Sequence, residues 1–421
     1  MIKFHRFLIF LIIFSIGIGF GHSYFKTAVK TESVKIEKNT PEAFISEVYD
    51  KIKENYWDNI SDSQLLELYK LSFEKNQGGI VTKFESKDKM IKAVLIATKS
   101  MDEEKKNKFI SQLVGTVIAS LSPNNRSGLF TEKQEVQLKN TVENIDPQKD
   151  LYKDLGVGKQ ASSEAIQQAF QKKSDQIAKE GSAGAQEKLK NLSYAKEVLT
   201  QKDSKVLYDQ KGVEPTIFTK IIQPDILYFL FKKFSPTSYD EFLKAFDAYK
   251  DSAVSTLIFD LRGNVGGQID STVYYLGNFI GKNQLAFDFY HKNDYIPFKT
   301  PTEKLSSISK YKQIVMLVDN QTQSSAEIIA SSFKKYHIGV VIGTPTKGWG
   351  TVERVFPIDN QFDPKNKYSL FLVHSITLRD DNQPIEGRGV DPDINIKTPN
   401  WESELFSYFR NQALIEAVKS L

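Results

Sequence analysis

The chain has 421 residues, of which 40% are hydrophobic and 12% are aromatic. This length predicts two or three structural units, and the composition excludes wholesale disorder. The net charge is only +4 and lysine is interspersed with glutamate, so the charge indicates no nucleic-acid partner. The lack of cysteine excludes disulfides, thiolate metal sites, cysteine catalysis and a lipoprotein anchor. The five histidines form neither an HExxH motif nor a close pair, so we expect no metal site and no cofactor.

The amino terminus carries a candidate membrane-targeting segment. Lys3 and Arg6 precede an apolar run over residues 7–20, which is short for a membrane span and fits the core of a signal peptide. The run reaches spanning length when residues 21–25 are included, and its small residues match a cleavage site poorly. We therefore expect residues 1–25 to be an uncleaved signal anchor rather than a cleaved signal peptide. The protein would then be a single-pass membrane protein. The bulk of the chain is then extracytoplasmic, periplasmic or extracellular. A buried core helix is the alternative.

Residues 40–140 have the periodicity of amphipathic helices. Over residues 41–56 this periodicity places Phe44, Val48 and Ile52 on one face. Residues 90–101 and 109–121 repeat the pattern, and residues 122–126 predict a turn. No carboxylate pair in this region suggests catalysis, so we predict a helical N-terminal region with a packing role.

Residues 146–212 predict a separate helical segment. Its motifs, in order, are Tyr-x-x-Leu-Gly-Val from Tyr152, Ala-Phe at Phe170, Ala-x-Glu-Val-Leu from Ala195 and Tyr-Asp-Gln-x-Gly from Tyr208. This order resembles a J-domain, which is all-α. The family's His-Pro-Asp loop, which stimulates the chaperone Hsp70, aligns here with residues 178–180, Ala-Lys-Glu. We therefore expect a helical scaffold and no Hsp70 partner.

A glycine-rich loop follows a predicted buried strand over residues 254–259. The loop runs Asp-Leu-Arg-Gly-Asn-Val-Gly-Gly from Asp260 to Gly267. Consecutive glycines after a strand allow backbone amides to face an incoming group, as in a phosphate cradle or an oxyanion hole. The spacing is neither that of a dinucleotide-binding fingerprint nor that of a P-loop. A tight turn that permits close strand–helix packing is the alternative.

Ser324 lies where a predicted strand over residues 314–318 gives way to a helix over residues 328–336. A hydroxyl at the start of a helix lies beside unpaired N–H groups and the positive end of the helix dipole. Those N–H groups are available to an oxyanion that forms next to a nucleophile. Ser324-x-x-Glu327 is also a capping box, which requires no chemistry. The motif alone leaves both interpretations open.

Four motifs occur together and in order within residues 216–397. They are the glycine-rich loop, Ser324-x-x-Glu-Ile, Gly343-x-Pro-Thr-x-Gly with Gly350-Thr-Val, and Gly387-x-Gly-Val-x-Pro-Asp. Together they resemble the carboxyl-terminal processing (tail-specific) serine peptidases. The resemblance implies an α/β fold with a core related to ClpP and crotonase over residues 214–421. It also implies a Ser/Lys dyad and protein or peptide substrates. The inserted J-like segment takes the place of the family's PDZ domain.

The resemblance assigns roles to individual residues. Ser324 takes the place of the nucleophile, and the amides of Ser325 and of Gly266 or Gly267 take the place of the oxyanion hole. The family's lysine and its orienting glutamine fall on Trp349 and Glu353.

A lysine stands two positions before the expected one, at Lys347. Residues two apart in an extended segment share a face but are displaced by roughly 6–7 Å. A buried, neutral lysine activates a hydroxyl, so Lys347 is the candidate general base and Glu353 its candidate partner. A carboxylate that keeps the amine charged would oppose this role, and a solvated surface lysine is the alternative for Lys347.

Two function classes remain after a Ser-His-Asp arrangement is considered. His374 and His337 are not favoured as bases, because neither lies in a sequence context that predicts contact with Ser324. The first class is a membrane-anchored, extracytoplasmic serine endopeptidase that cleaves near protein carboxyl termini. The second is a catalytically inactive pseudoprotease that binds protein tails or envelope partners. The sequence favours the enzyme.

Overall fold

The computed structural model describes residues 37–77, 83–180, 184–223 and 225–421. The predicted signal anchor at residues 1–25 lies outside these ranges. Within them, none of the helices combines the length and apolar character that a membrane span requires.

The N-terminal region is helical, as its periodicity predicts. Its elements are α1 (Pro41–Asn55), α2 (Asp62–Gln77), α3 (Lys87–Thr98), α4 (Glu103–Ala119), β1 (Gly128–Thr131) and α5 (Glu132–Glu143). Helix α1 begins at Pro41 because the Thr40 hydroxyl accepts a hydrogen bond from the backbone N–H of Ala43 at 3.2 Å. The predicted apolar face of α1 is fully buried in a hydrophobic cluster shared by α1 to α4.

Four helices form the next part of the chain: α6 (Leu151–Leu155), α7 (Ser163–Glu180), α8 (Ala185–Thr200) and α9 (Lys202–Lys211). Their apolar side chains form a separate hydrophobic cluster that also contains Phe218, from the strand that follows. Residues 178–180 lie in the last turn of α7. The segment therefore has its own core and is joined to the rest of the fold through Phe218.

The remainder of the chain alternates strands and helices. In order these are β2 (Ile217–Gln223), β3 (Ile226–Phe231), α10 (Ser238–Ala248), β4 (Thr256–Asp260), α11 (Thr272–Ile280), β5 (Leu285–His291), β6 (Asp294–Lys299), α12 (Ser306–Ser309), β7 (Gln313–Val318), α13 (Ser325–Lys335), β8 (Val340–Gly343), β9 (Thr351–Pro357), β10 (Tyr368–Thr377), β11 (Ile394–Asn395), α14 (Trp401–Phe409) and α15 (Gln412–Ser420). The fold is therefore mixed α/β.

The strands form two sheets. The larger sheet has the order β11-β8-β7-β4-β3-β2, and all its pairings are parallel except that of β2 with β3. Side chains alternate along its strands, so Leu257 and Phe259 enter one hydrophobic cluster and Ile258 enters another on the opposite face. The second sheet has the order β1-β10-β5-β6, with β9 also paired to β10. Strand β1 thereby joins the N-terminal region to the rest of the fold.

The larger sheet determines where the glycine-rich loop and Ser324 lie. Strands β4 and β7 are parallel neighbours, with Asp260 opposite Leu317. Both strands therefore end at the same edge of the sheet. The glycine-rich loop follows β4 and Ser324 follows β7, so the two predicted motifs meet at this edge.

Candidate active site

Ser324 is held in a strained backbone conformation between β7 and α13. Its φ of 57° and ψ of −124° lie in a region that residues other than glycine rarely adopt. The preceding turn is fixed by Asp319, whose Oδ1 accepts hydrogen bonds from the backbone N–H groups of Gln321 and Thr322 at 3.0 and 2.9 Å. The Thr322 hydroxyl donates to the carbonyl of Leu261 at 2.9 Å. The turn is thus bonded to the end of β4, and Ser324 is half-buried at the start of α13.

Asn264 organises the glycine-rich loop. Its fully buried side chain donates from Nδ2 to the Phe231 carbonyl at 2.7 Å, and its Oδ1 accepts from the Gly266 N–H at 2.8 Å. Its backbone carbonyl accepts from the Gln323 N–H at 2.9 Å. A Cβ on Gly266 would lie 2.6 Å from the Cβ of Ser324, and the φ of Gly266 is +81°. Only glycine therefore permits this approach of the loop to Ser324.

Two N–H groups beside Ser324 are available as donors. The Gly266 N–H is bonded to Asn264, whereas the N–H groups of Gly267 and Ser325 have no acceptor within the described ranges. The Ser325 hydroxyl donates to the Gly267 carbonyl at 3.1 Å, so the two residues are in contact. Of the two glycines predicted for the oxyanion hole, only Gly267 has an N–H free for an incoming oxygen.

Glu327 joins the turn that contains Ser324 to the loop that contains Lys347. Its carboxylate is fully buried and accepts from the Ser324 N–H at 2.9 Å, as in the predicted capping box. It also accepts from the Thr346 hydroxyl at 2.5 Å and from the N–H groups of Gly348 and Trp349 at 2.7 and 2.8 Å. Burial raises the pKa of Glu327, and the four hydrogen bonds oppose that shift. The Ser-x-x-Glu spacing indicated the cap but not the three longer-range bonds.

Lys347 is not brought to Ser324. Its neighbours Thr346 and Gly348 turn inward to Glu327, so the Lys347 side chain points outward and is exposed. Its backbone N–H is fixed by a 3.0 Å hydrogen bond to the Thr322 carbonyl. Over the residues that the structure describes, no hydrogen bond or ion pair joins its amine to Ser324. The predicted contact of amine and hydroxyl is therefore absent in this arrangement.

Glu353 is bonded to Trp349 instead of Lys347. The Trp349 indole Nε1 donates to Glu353 Oε1 at 3.2 Å, and the Thr351 hydroxyl donates to the same oxygen at 2.5 Å. Burial raises the pKa of Glu353. The expected pairing of Glu353 with Lys347 is not formed: the Lys347 side chain is exposed, whereas Glu353 is bonded to Trp349 and Thr351.

Arg126 reaches the same loop from the N-terminal region. Its guanidinium carbon lies 3.4 Å from the centre of the Trp349 ring. Its Nε and one terminal nitrogen donate to Glu386 Oε1 at 3.2 and 3.0 Å. The sequence indicated only a packing role for this region, and no local motif marks Arg126.

Two histidines that are far apart in the sequence, His291 and His374, lie together in the fold and away from any bond to Ser324. His374 stacks on His291 with ring centres 4.3 Å apart, and burial together with the charges of Arg354, His291 and Lys292 lowers the pKa of His374 to about 4. Neither His374 nor the exposed His337 bonds to Ser324 anywhere in the described ranges. A Ser-His pair is therefore absent in this arrangement.

Comparison with known proteins identifies two segments. Residues 225–396 match the family model of Peptidase family S41, and residues 150–209 match that of the DnaJ domain. The chain is similar to a "Probable CtpA-like serine protease" of Staphylococcus epidermidis, with 26% identity over 203 residues. That match covers 48% of this chain and 40% of the relative. A "Carboxy-terminal-processing protease" of Bartonella bacilliformis is 27% identical over 143 residues, which is 34% of this chain and 31% of that protein.

A solved structure supports the fold assignment. The photosystem II D1 C-terminal processing protease superposes with a TM-score of 0.50 at 12% identity, covering 85% of this chain and 93% of that one. At this identity the likeness concerns the fold alone. The chain spans less than half the length of the curated relatives it matches. The two predicted resemblances are confirmed over the matched segments.

Proposed function

We propose that the chain is a serine endopeptidase of the C-terminal processing type, from the premise that residues 225–396 match the model of peptidase family S41. Ser324 Oγ attacks the carbonyl carbon of a peptide bond, and the carbonyl oxygen takes up negative charge beside the N–H groups of Gly267 and Ser325. The proton from Ser324 passes to a base and then to the leaving amine. Water hydrolyses the resulting acyl-enzyme by the same route in reverse.

The observation that carries this proposal is the pair of free N–H groups beside a strained serine. A helix cap needs only a hydrogen bond between Ser324 and Glu327. It does not require the close approach of Gly266 to Ser324, or N–H groups of Gly267 and Ser325 that have no acceptor within the described ranges. An oxyanion hole requires free N–H donors beside the nucleophile.

We assign the general base to Lys347. The family's lysine position is occupied by Trp349, and the Lys347 amine lies 5.9 Å from the centre of that ring. Transfer of the amine from solvent into this space would put it where the resemblance expects the base. The arrangement described above is therefore the resting state of the proposed enzyme.

Two observations favour a second function, that of an inactive binding protein. Lys347 is exposed, and Trp349 is hydrogen-bonded to Glu353. If the indole remains in the lysine position, the fold is catalytically inactive. It then binds protein tails or envelope partners without cleaving them.

The finer architecture belongs to the same proposal. We place a ClpP/crotonase-like core over residues 214–421, an inserted J-like domain over residues 146–212 and a helical N-terminal region over residues 40–140. The separate hydrophobic cluster of α6 to α9 supports the inserted domain. The apolar run near the amino terminus supports a signal anchor over residues 1–25 and an extracytoplasmic location. The helical conformation of residues 178–180 supports a segment that does not recruit Hsp70.

The test compares variants of the full chain purified in detergent. The parent, Ser324→Ala and Lys347→Ala are incubated with an unstructured protein that ends in an apolar tail, and the products are identified by mass spectrometry. Cleavage by the parent that both substitutions abolish supports the Ser/Lys peptidase. No cleavage by the parent or by Trp349→Ala, with activity gained in a Lys347→Phe/Trp349→Lys double variant, supports the catalytically inactive protein.

A further inference from the structure

One side chain of the turn after α4, that of Arg126, lies in the candidate active site. The Arg126 guanidinium stacks on Trp349, and two of its nitrogen atoms donate hydrogen bonds to Glu386, as described above. Only 18% of the Arg126 side chain and 15% of the Glu386 side chain are exposed, so solvent screens this ion pair weakly. Glu386 in turn accepts the backbone N–H of Gly350 at 2.8 Å. The guanidinium therefore contacts the indole directly and is linked through Glu386 to the backbone segment that carries the indole.

The indole is held on its other sides as well. Its Nε1 donates to Glu353, and the backbone N–H of Trp349 donates to Glu327, the carboxylate that also binds the Ser324 N–H. The backbone of Trp349 is thus tied to the nucleophile turn. Of the groups that hold the indole ring, only Arg126 comes from the N-terminal region.

Lys347 lies just outside this arrangement. Its amine is exposed, forms no ion pair within the described ranges, and lies 5.9 Å from the centre of the indole ring. A side-chain movement alone can bring the amine into the space of the ring, provided that the indole leaves it. The hydrogen bonds from Lys347 N–H to Thr322 and from Gly348 N–H to Glu327 can then remain.

We propose that Arg126, Trp349 and Glu386 form an autoinhibitory latch, in which Arg126 is a positioning residue. While the guanidinium holds the indole, Lys347 stays in solvent and Ser324 lacks its base. When Arg126 withdraws, the indole leaves and the Lys347 amine takes its place. A protein that displaces the turn after α4 thereby activates the site. This inference rests on the proposed peptidase function.

A planar guanidinium is required for the latch. Arginine stacks on an aromatic face and binds a carboxylate with two N–H groups at once, whereas lysine offers a point charge without a stacking plane. Arg126→Lys keeps the charge beside Glu386 but loses the stack. It is therefore expected to release the indole almost as fully as Arg126→Ala does.

The first readout is the environment of the indole. The chain has three tryptophans, so Trp57→Phe/Trp401→Phe leaves Trp349 as the only one. In this background of the full chain, Arg126→Ala and Arg126→Lys are expected to raise acrylamide quenching of the Trp349 emission at least twofold and to shift the emission to the red. Arg354→Ala is the matched control, because Arg354 is an exposed arginine on β9 that has no ion pair within the described ranges. It is expected to leave the emission unchanged.

The second readout is the reactivity of Ser324 towards a fluorophosphonate label. Arg126→Ala is expected to increase the labelling rate about tenfold, which corresponds to about 1.4 kcal/mol. Adding Lys347→Ala is expected to abolish the increase. Trp349→Ala removes the indole without altering Arg126, and it is expected to give the same Lys347-dependent increase. This second route keeps the test decisive if Arg126→Ala proves unstable.

The outcomes separate the latch from the peptidase function. An unchanged Trp349 emission in both Arg126 variants overturns the latch, as does faster quenching without faster labelling of Ser324. If the parent is labelled and cleaves its substrate but neither Arg126→Ala nor Trp349→Ala is faster, the latch alone fails. If no variant is ever labelled, including Lys347→Phe/Trp349→Lys, the proposed function fails and the latch has nothing to control.

Discussion

Substitution of Gly266 by alanine tests how closely the glycine-rich loop must approach the nucleophile. The added methyl group would lie 2.6 Å from the Ser324 Cβ and 2.8 Å from the Gln323 carbonyl oxygen, so one of the two segments has to move. A left-handed φ at a non-glycine residue adds about 1–2 kcal/mol. A shift of about 1 Å at a reacting group lowers the rate about 100-fold. We therefore expect Gly266→Ala to lower the reactivity of Ser324 by about two orders of magnitude.

The same loop provides a matched control for this substitution. Gly263 has a similar φ of +70°, but no atom lies within 4 Å of the position that its Cβ would take. Gly263→Ala is therefore expected to lower stability by about 1–2 kcal/mol through φ alone and to leave the reactivity of Ser324 within a few-fold of the parent. Reactivity is measured as the fluorophosphonate labelling rate, and stability by chemical unfolding. Equal labelling rates for the two variants would refute the close approach of Gly266 to Ser324.

Three further predictions concern the groups around this site and the J-like segment. Glu327→Gln removes the charge from a buried carboxylate that accepts hydrogen bonds from four donors. We therefore expect the unfolding free energy to fall by about 2–4 kcal/mol and the labelling of Ser324 to slow. Unchanged stability would contradict the hydrogen bonds assigned to Glu327. The pKa of His374 is lowered from 6.5 to about 4 in the folded chain. Between these pH values the unfolded chain binds more protons than the folded chain, so stability should fall as the pH drops from 6.5 to 4. The expected fall is about 1–2 kcal/mol after allowance for the partial exposure of His374. His374→Gln should flatten that part of a pH series of denaturant unfolding, and an unaltered slope would exclude His374 as its source. Phe218→Ala should destabilise the chain by about 3 kcal/mol in calorimetry, because Phe218 lies in the core of α6 to α9. The control Val206→Ala, at an exposed position on α9, should change stability by less than about 0.5 kcal/mol. Equal effects of the two substitutions would mean that the segment does not depend on β2.

The periodicity of the sequence predicted the elements that position the site. The apolar run over residues 314–318 became β7, which is buried on both faces of the sheet, and the pattern after Ser324 became the buried helix α13. The resemblance also implied that the glycine-rich loop lies beside Ser324, and the parallel strands β4 and β7 bring the two together. These features depend on local patterns and on a regular sheet.

The contacts that decide the chemistry depend on side chains far apart in the sequence. The outward direction of Lys347 results from bonds that Thr346 and Gly348 make to Glu327, and no local pattern contains that information. The choice between Gly266 and Gly267 depends on which N–H the Asn264 side chain accepts. The stack of Arg126 on Trp349 joins a turn of the N-terminal region to the loop that contains Lys347 and Trp349. Such contacts become visible only when the fold is known.

The central claim, that Ser324 is an activated nucleophile, is tested most directly by locating a covalent adduct. The full-length protein is treated with a fluorophosphonate, digested and mapped by tandem mass spectrometry, with Ser324→Ala treated in parallel. We predict a single adduct on Ser324 that is absent from the alanine variant. An adduct on the neighbouring Ser325, or equal labelling of the parent and the variant, would contradict the assignment of the nucleophile.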